Sequence, residues 1–240
     1  MYNIIMRLDI YITTNFDIQS RNKAHELIKT NKVKVDGKII TKPSFEVDEN
    51  STFEILDNDI LVSRAGYKLK YFLTELDIDL KPLNGLDIGS STGGFAQVLL
   101  KNELSHLTCV DVGTNQLHDR VKEYQNIDFF ENCDIREFNS EKTFDIVTCD
   151  VSFISVHHIL SAIDKLANKH IIVLFKPQFE VGVNAKRDKN GVVRDDKAIL
   201  KSKILFEDAC TIIGWKLIYQ SPSKLLGKEG SYEEFYYFKK

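Results

Sequence analysis

Apolar and polar positions change rhythm along the chain, and the change marks two regions. In "SRNKAHELIKTNK", Ala24, Leu27 and Ile28 fall on one helical face, and Ser20 stands where an N-cap is needed. "KVKVDGKII" alternates around Asp36-Gly37, which predicts a hairpin, and "STFEIL" predicts one more short strand. A polar break in "DNDILVS" then leads into an amphipathic helix over "RAGYKLKYFLTEL". From Ala65 onward, strands and helices alternate. Strands are predicted in "NGLDIGS", "HLTCVDVG", "IDFFENCD", "TFDIVTCDVSF" and "HIIVLFKPQF". Helices are predicted in "GGFAQVLLKN", "QLHDRVKEY", "SVHHILSAIDKLAN" and "AILKSKILFEDACTIIG". Such alternation implies an α/β fold with a mostly parallel sheet and helices on both faces. The last two strands, in "WKLIYQSPS" and "EEFYYFKK", have no helix between them, so one of them is expected to run antiparallel. The expected organisation is a small α+β domain over 1–59, a linker at 60–64 near the Asp59–Ser63 boundary, and an α/β domain over 65–240.

Composition adds exclusions. The chain has 240 residues, 43% hydrophobic and 28% charged, as an ordinary globular protein does. No apolar run approaches the roughly 20 residues of a membrane span. The start, "MYNIIMRLDIYITTNFD", has no basic leader, so no signal peptide is expected and the cytoplasm is the expected location. The four cysteines form no C-x-x-C pair; Cys109 and Cys149 sit in apolar runs and read as small buried hydrophobes, and no metal site is expected. A net charge of −3 argues against indiscriminate nucleic-acid binding, DNA included. From Arg7 to Lys42, however, eight basic residues face four acidic ones, a local charge of +4. Charge alone favours a solvated surface.

The candidate chemistry begins at "LDIGSSTGGFAQVLL". Asp87 ends a strand, and Gly89, Ser90, Ser91, Gly93 and Gly94 leave the backbone bare before a helix. In a doubly wound sheet, ligands bind beyond the carboxyl ends of the strands, and a helix N-terminus there favours electronegative groups. The spacing is G-x-x-x-G-G rather than the dinucleotide G-x-G-x-x-G, and close helix–sheet packing explains a glycine loop equally well. Three further acids follow the next strands: Asp111, Asp134 and Asp150. One such acid is commonly a helix cap or an ion-pair partner; four in series read as the walls of one cleft. Lys176 ends the apolar strand "HIIVLF" before Pro177 and opens onto the same crevice, although a lone lysine there would read as a snorkelling side chain.

"LDIGSSTGGF", "CVDVG", "CDVSF" and "FKPQFE" together resemble the FtsJ-like group of S-adenosylmethionine-dependent methyltransferases, and more specifically the TlyA family of ribosomal RNA 2′-O-methyltransferases. "VSRAGYKL" and "FKPQFEVG…NGVVRD" are similar to motifs of that family. "RLDIYIT…QSRNKAHELIKTNKVKVDGKIITKPS" resembles an S-four RNA-binding domain.

The resemblance implies a Rossmann-like methyltransferase sheet, S-adenosylmethionine as cofactor, and 2′-O-ribose methylation of cytidine in ribosomal RNA within ribosomal subunits. It implies a Lys-Asp-Lys-Glu tetrad: Lys68, Asp150, Lys176 as general base, and a final acid that is either Glu233 or Glu234, with spacing from Gly230 favouring Glu233. It implies a cofactor held by Asp87, Gly89, Ser90, Ser91, Gly93, Gly94, Asp111, Asp134 and Asp150. Asp87 would lie near its amino group, Asp111 near its ribose and Asp134 near its adenine. It implies RNA contacts from Arg7, Arg21, Lys23, Lys32 and Lys34, with Lys186 and Arg187 reaching RNA from another side. Phe153 either stacks on a base or packs the cleft. Three other readings stand beside this one: a Rossmann oxidoreductase, a membrane-active haemolysin, and a non-catalytic RNA-binding or assembly factor.

Overall fold

In the computed structural model, the described residues are 5–16, 18, 20–48, 51–56, 61–227 and 230–240. The chain divides into two compact units, Met1–Arg64 and Ala65–Lys240. Asp59 and Ile60, on which the expected boundary and linker partly fall, lie outside the described residues.

The first unit runs β1 (Met6–Arg7), α1 (Leu8–Asn15), α2 (Arg21–Lys29), β2 (Val33–Val35), β3 (Lys38–Ile39), β4 (Glu46–Val47) and β5 (Phe53–Ile55). Ser20 caps α2 by accepting from the Lys23 amide. Asp36 and Gly37 take φ of 50° and 74°, the left-handed pair that a tight β2–β3 hairpin needs. Leu8, Ile12, Ala24, Leu27, Ile28, Val33 and Val35 form a small core.

The second unit runs α3 (Arg64–Leu73, beginning at the boundary), β6 (Asn84–Ile88), α4 (Gly94–Lys101), β7 (His106–Val110), α5 (Asp119–Lys122), β8 (Ile127–Phe130) and β9 (Phe144–Cys149). A 3-10 turn (Val156–His158) follows, then α6 (Leu160–Leu166), β10 (Ala167–Phe175), α7 (Pro177–Glu180), α8 (Asp196–Ile212), β11 (Lys216–Pro222) and β12 (Glu234–Lys239). One seven-stranded sheet has the order β11-β12-β10-β9-β6-β7-β8. All neighbours pair in parallel except β12, which is antiparallel to both β10 and β11. The expected antiparallel strand is therefore β12.

Helices cover both faces of this sheet. Phe72 of α3 stacks on Phe235 of β12 at 4.5 Å, while Phe206 of α8 meets the next residue, Tyr236, at 5.1 Å from the other side. Alternate residues of each strand thus enter different layers. Leu86, Ile88, Val147, Ile171, Val173, Phe175 and Phe206 belong to one core, and each such side chain contributes about 1.5–3 kcal/mol relative to exposure.

Two local expectations change. The strand in "HIIVLFKPQF" stops at Phe175; Pro177 occupies the first turn of α7, where its fixed φ and missing N–H fit a helix start. The helix expected over "QLHDRVKEY" shortens to the single turn of α5. Among the described residues, no helix is long and apolar enough to cross a membrane.

Candidate active site

The sheet order reverses between β6 and β9, and the crevice of a doubly wound sheet opens at such a point. Gly89 leaves β6 there with φ 75°, and a Cβ on it would meet the Asp150 carbonyl oxygen at 2.9 Å. The glycine is required because two strand ends pass this close. Beyond them lies a hollow of about 460 Å³ lined by Gly89, Ser91, Asp111, Gln116, Asp134, Asp150, Ser152 and Phe153, among others. Its described lining holds three carboxylates and neither lysine nor arginine.

Of the nine predicted cofactor residues, Gly89, Ser91, Asp111, Asp134 and Asp150 line this hollow; Asp87, Ser90, Gly93 and Gly94 do not. Gly93 serves packing, since a Cβ there would strike Leu117 at 2.7 Å and its φ is 89°. Asp111 accepts from the Ser91 and Gly113 amides, each at 2.7 Å, and so holds the loop edge. The Arg136 guanidinium beside Asp134 holds that carboxyl down to about 2. Asp87 is fully buried beneath the loop. Thr148 Oγ1 donates to its Oδ1 at 2.7 Å, its Oδ2 has no partner, and burial pushes its pKa up to about 7.

Two lysine–carboxylate pairs mark the same edge of the sheet. Lys176 Nζ lies 2.7 Å from Asp150 Oδ1 and donates to Ser152 Oγ at 3.0 Å. Asp150 Oδ1 nevertheless lacks an aligned hydrogen bond, so its contact with Lys176 is one of charge rather than of direction. Lys68 Nζ donates to Glu233 Oε2 at 2.6 Å, both side chains being nearly buried. Antiparallel pairing sets Phe175 opposite Glu234, so the next residues outward, Lys176 and Glu233, leave the sheet side by side. The reversal of β12 brings its first residues to the carboxyl edge of the parallel strands.

Glu233 and Glu234 point to opposite faces. Glu233 meets Lys68; Glu234 meets Lys203 of α8 at 2.6 Å. Glu234, the competing candidate for the final acid, is thus turned away from Lys68. Phe153 is 93% exposed with φ 67°, stands at the rim of the hollow rather than packed within it, and leans on Phe179 at 5.5 Å.

The basic residues of the first unit are less free than their number suggests. Arg7 and Arg21 both bind buried Asp9, Lys23 pairs with Glu26, and Lys34 pairs with Glu54. Lys32 is exposed. Arg187 donates to the carbonyls of Gln178, Gly182 and Gly191 and so pins its own loop.

Several residues of this site are not singled out by sequence pattern. Ser152 and Glu180 lie inside the motifs "CDVSF" and "FKPQFE". Glu180 accepts from Ser155 Oγ at 2.6 Å and from the Val156 amide at 2.9 Å, tying the segment after β9 to the one after β10. Lys203 carries no local signal at all. Gly227 lies against Glu233, whose Oε1 would be 2.1 Å from a Cβ there.

Comparison with known proteins agrees with this geometry. Residues 61–240 match the FtsJ-like methyltransferase model, and residues 6–53 match the S4 domain. A Campylobacter jejuni protein named 23S rRNA (cytidine-2′-O)-methyltransferase TlyA is 49% identical, over 97% of this chain and 99% of its own. A Mycobacterium tuberculosis protein named 16S/23S rRNA (cytidine-2′-O)-methyltransferase TlyA is 31% identical over 95% of this chain and 88% of its own. A solved structure from Streptococcus thermophilus, named for a hemolysin, covers 98% of this chain and 88% of its own, with TM-score 0.73 and 27% identity.

Proposed function

The chain belongs to the FtsJ-like methyltransferase family, and from that premise we propose that it transfers a methyl group from S-adenosylmethionine to a ribose 2′-hydroxyl of ribosomal RNA, a cytidine within a ribosomal subunit. The observation that carries the reading is the meeting of two lysine–carboxylate pairs, Lys176–Asp150 and Lys68–Glu233, at the switch-point edge of the sheet. A nucleotide-dependent oxidoreductase would need donors for a pyrophosphate, and the acid-lined hollow offers the opposite.

The residues present fit the cofactor. Asp87 keeps an unpaired buried oxygen near which a cation is favoured. Gly89 leaves room that a Cβ would fill, and Asp111 and Asp134 offer acceptors to hydroxyl and amine groups. When bound, S-adenosylmethionine supplies an electrophilic methyl carbon on a sulfonium. Lys176, with its Nζ in the uncharged form, would accept the 2′-hydroxyl proton as that oxygen takes the methyl group. Asp150 and Ser152 hold its Nζ in place. Lys68 and Glu233 position the ribose. Phe153 presents its ring to a base. In the first unit, Lys32 and the half-exposed Arg7 and Arg21 meet phosphates, contacts that position RNA without reading its sequence. A ribosomal substrate puts this work in the cytoplasm.

The test is transfer of label from tritiated S-adenosylmethionine to separated ribosomal subunits. Wild type labels ribose 2′-oxygens, and Lys176→Ala lowers kcat by about a hundredfold or more. Unchanged labelling by Lys176→Ala would discard the mechanism. Tight RNA binding without labelling of any RNA would leave a binding factor.

A further inference from the structure

Two adjacent glutamates stand at the start of β12, Glu233 just before it and Glu234 as its first residue, and only Glu233 meets Lys68. The strand is held from both faces by the same kind of contact. On one face, Lys68 and Phe72 of α3, four residues apart, meet Glu233 and Phe235. On the other, Lys203 and Phe206 of α8, three residues apart, meet Glu234 and Tyr236. A half-turn at the start of β12 would exchange the two acids, because side chains alternate along a strand.

The α8 side is unusual in its charges. Glu234 is 4% exposed. Tyr236 Oη lies 3.1 Å from Glu207 Oε1 and 3.5 Å from Glu234 Oε2, so two carboxylates share that hydroxyl, and the Tyr232 side chain gives Glu234 a second hydroxyl contact; neither is a cation. Glu207 stands one turn after Lys203 on α8. Lys203 is the cation paired with Glu234 in this group. Without it, Glu234 would be a buried anion beside another anion, and the strand start would relieve that cost by turning Glu234 outward.

We infer that Lys203 is a positioning residue for methyl transfer: by holding Glu234 against α8, it commits Glu233 to the cleft. The inference rests on the tetrad reading above. It assigns no contact with RNA or cofactor to Lys203 or Glu234. Their side chains act through the strand, and what they control is the Lys68–Glu233 pair. The sign of the effect is asymmetric. Loss of the lysine leaves a charge that must move. Loss of the glutamate leaves a lysine whose side chain is 20% exposed and reaches water along its own stem.

Four full-length variants test this by steady-state methyl transfer, S-adenosylhomocysteine affinity and thermal melting. Lys203→Met lowers kcat by about 10- to 100-fold, with cofactor affinity kept within about twofold. Glu234→Leu keeps wild-type kcat, because leucine buries itself on the α8 side. Lys203→Met/Glu234→Leu recovers the kcat lost in Lys203→Met, which a lysine needed for stability or for RNA contact would not allow. Wild-type kcat in folded Lys203→Met, loss of kcat in Glu234→Leu, or failure of the double variant to recover overturns the inference. Where Lys203→Met does not fold, Glu234→Leu and the double variant still decide it. Glu233→Gln is the control: if it is fully active, the tetrad reading falls and takes this inference with it. If it is inactive while Lys203→Met is active, the inference alone falls.

Discussion

Among the described residues, each unit buries one aspartate completely, and the two are treated in opposite ways. Asp9, in the first unit, is met by Arg7 at 2.9 Å, Arg21 at 2.7 Å and His25 at 2.8 Å. These hydrogen bonds, Arg7 first, hold its carboxyl well below the usual range despite burial. Asp87, in the second unit, has the Thr148 hydroxyl and an oxygen without a partner, and burial raises it to about 7. The saturated carboxylate is a structural clamp: it fastens α1 to α2 and engages two of the arginines that the sequence offers to RNA. The other is met by the Thr148 hydroxyl and the Ala96 amide but by no cation among the described residues. The comparison teaches that a buried charge is read by its partners rather than by its burial.

Asp9→Asn is expected to have the largest effect on stability. It removes the charge on which two arginines and the His25 ring converge; because these are themselves half-exposed and hydrate on release, the cost is about 2–3 kcal/mol rather than more. Hydrogen exchange localised to residues 20–48 should rise while exchange in β6 and β9 stays put. Protection unchanged in the first unit would remove the clamp from the comparison.

Asp87→Asn should leave the fold intact, since an amide oxygen still accepts from Thr148, but weaken S-adenosylhomocysteine about tenfold, or roughly 1.4 kcal/mol, by calorimetry. Equal affinity in both chains would mean that the unpaired carboxylate does not serve the cofactor. The remaining effect concerns protons. A raised carboxyl stabilises the fold fully below the unfolded value near 3.8, and that contribution is lost as pH rises through about 7. Asp9, being lowered, acts in the opposite sense: its contribution is present above the unfolded value and is lost as pH falls below it. Wild type should therefore lose stability relative to Asp87→Asn between about pH 4 and pH 7. A cation bound near Asp87 favours its ionised form, so at pH 7 wild type should release about half a proton more than Asp87→Asn on binding. Titrations in buffers of different ionisation enthalpy read that difference, and no difference would place the bound cation elsewhere.

Much of the fold and of the candidate site is legible in the sequence. The apolar periods locate the strands and long helices, because burial on a pleat and on a helix imposes periods of 2 and 3.6. Three of the four acids, Asp111, Asp134 and Asp150, and Lys176 before Pro177, stand out because strand ends are fixed points of an α/β sheet; Asp87 lies within β6, buried and off the hollow's lining. The short helix α7 is not legible, since Pro177 reads as a stop and as a helix start with equal ease. The basic residues of the first unit read as more available to RNA than they are. Asp9 lies two residues from Arg7 in sequence but gathers Arg21 and His25 only across the helix pair.

By itself the sequence determined which residue types stand at each strand end and which face each side chain takes relative to its neighbour. It carried Glu233 and Glu234 as a strict alternative, since adjacent strand residues point opposite ways. Only the tertiary structure decided which of them meets Lys68. The antiparallel return of β12 beside β10, with Lys68 of α3 on one face and Lys203 of α8 on the other, assigns each acid its cation. That choice depends on partners 165 and 31 residues away, and no local pattern encodes contacts across such separations.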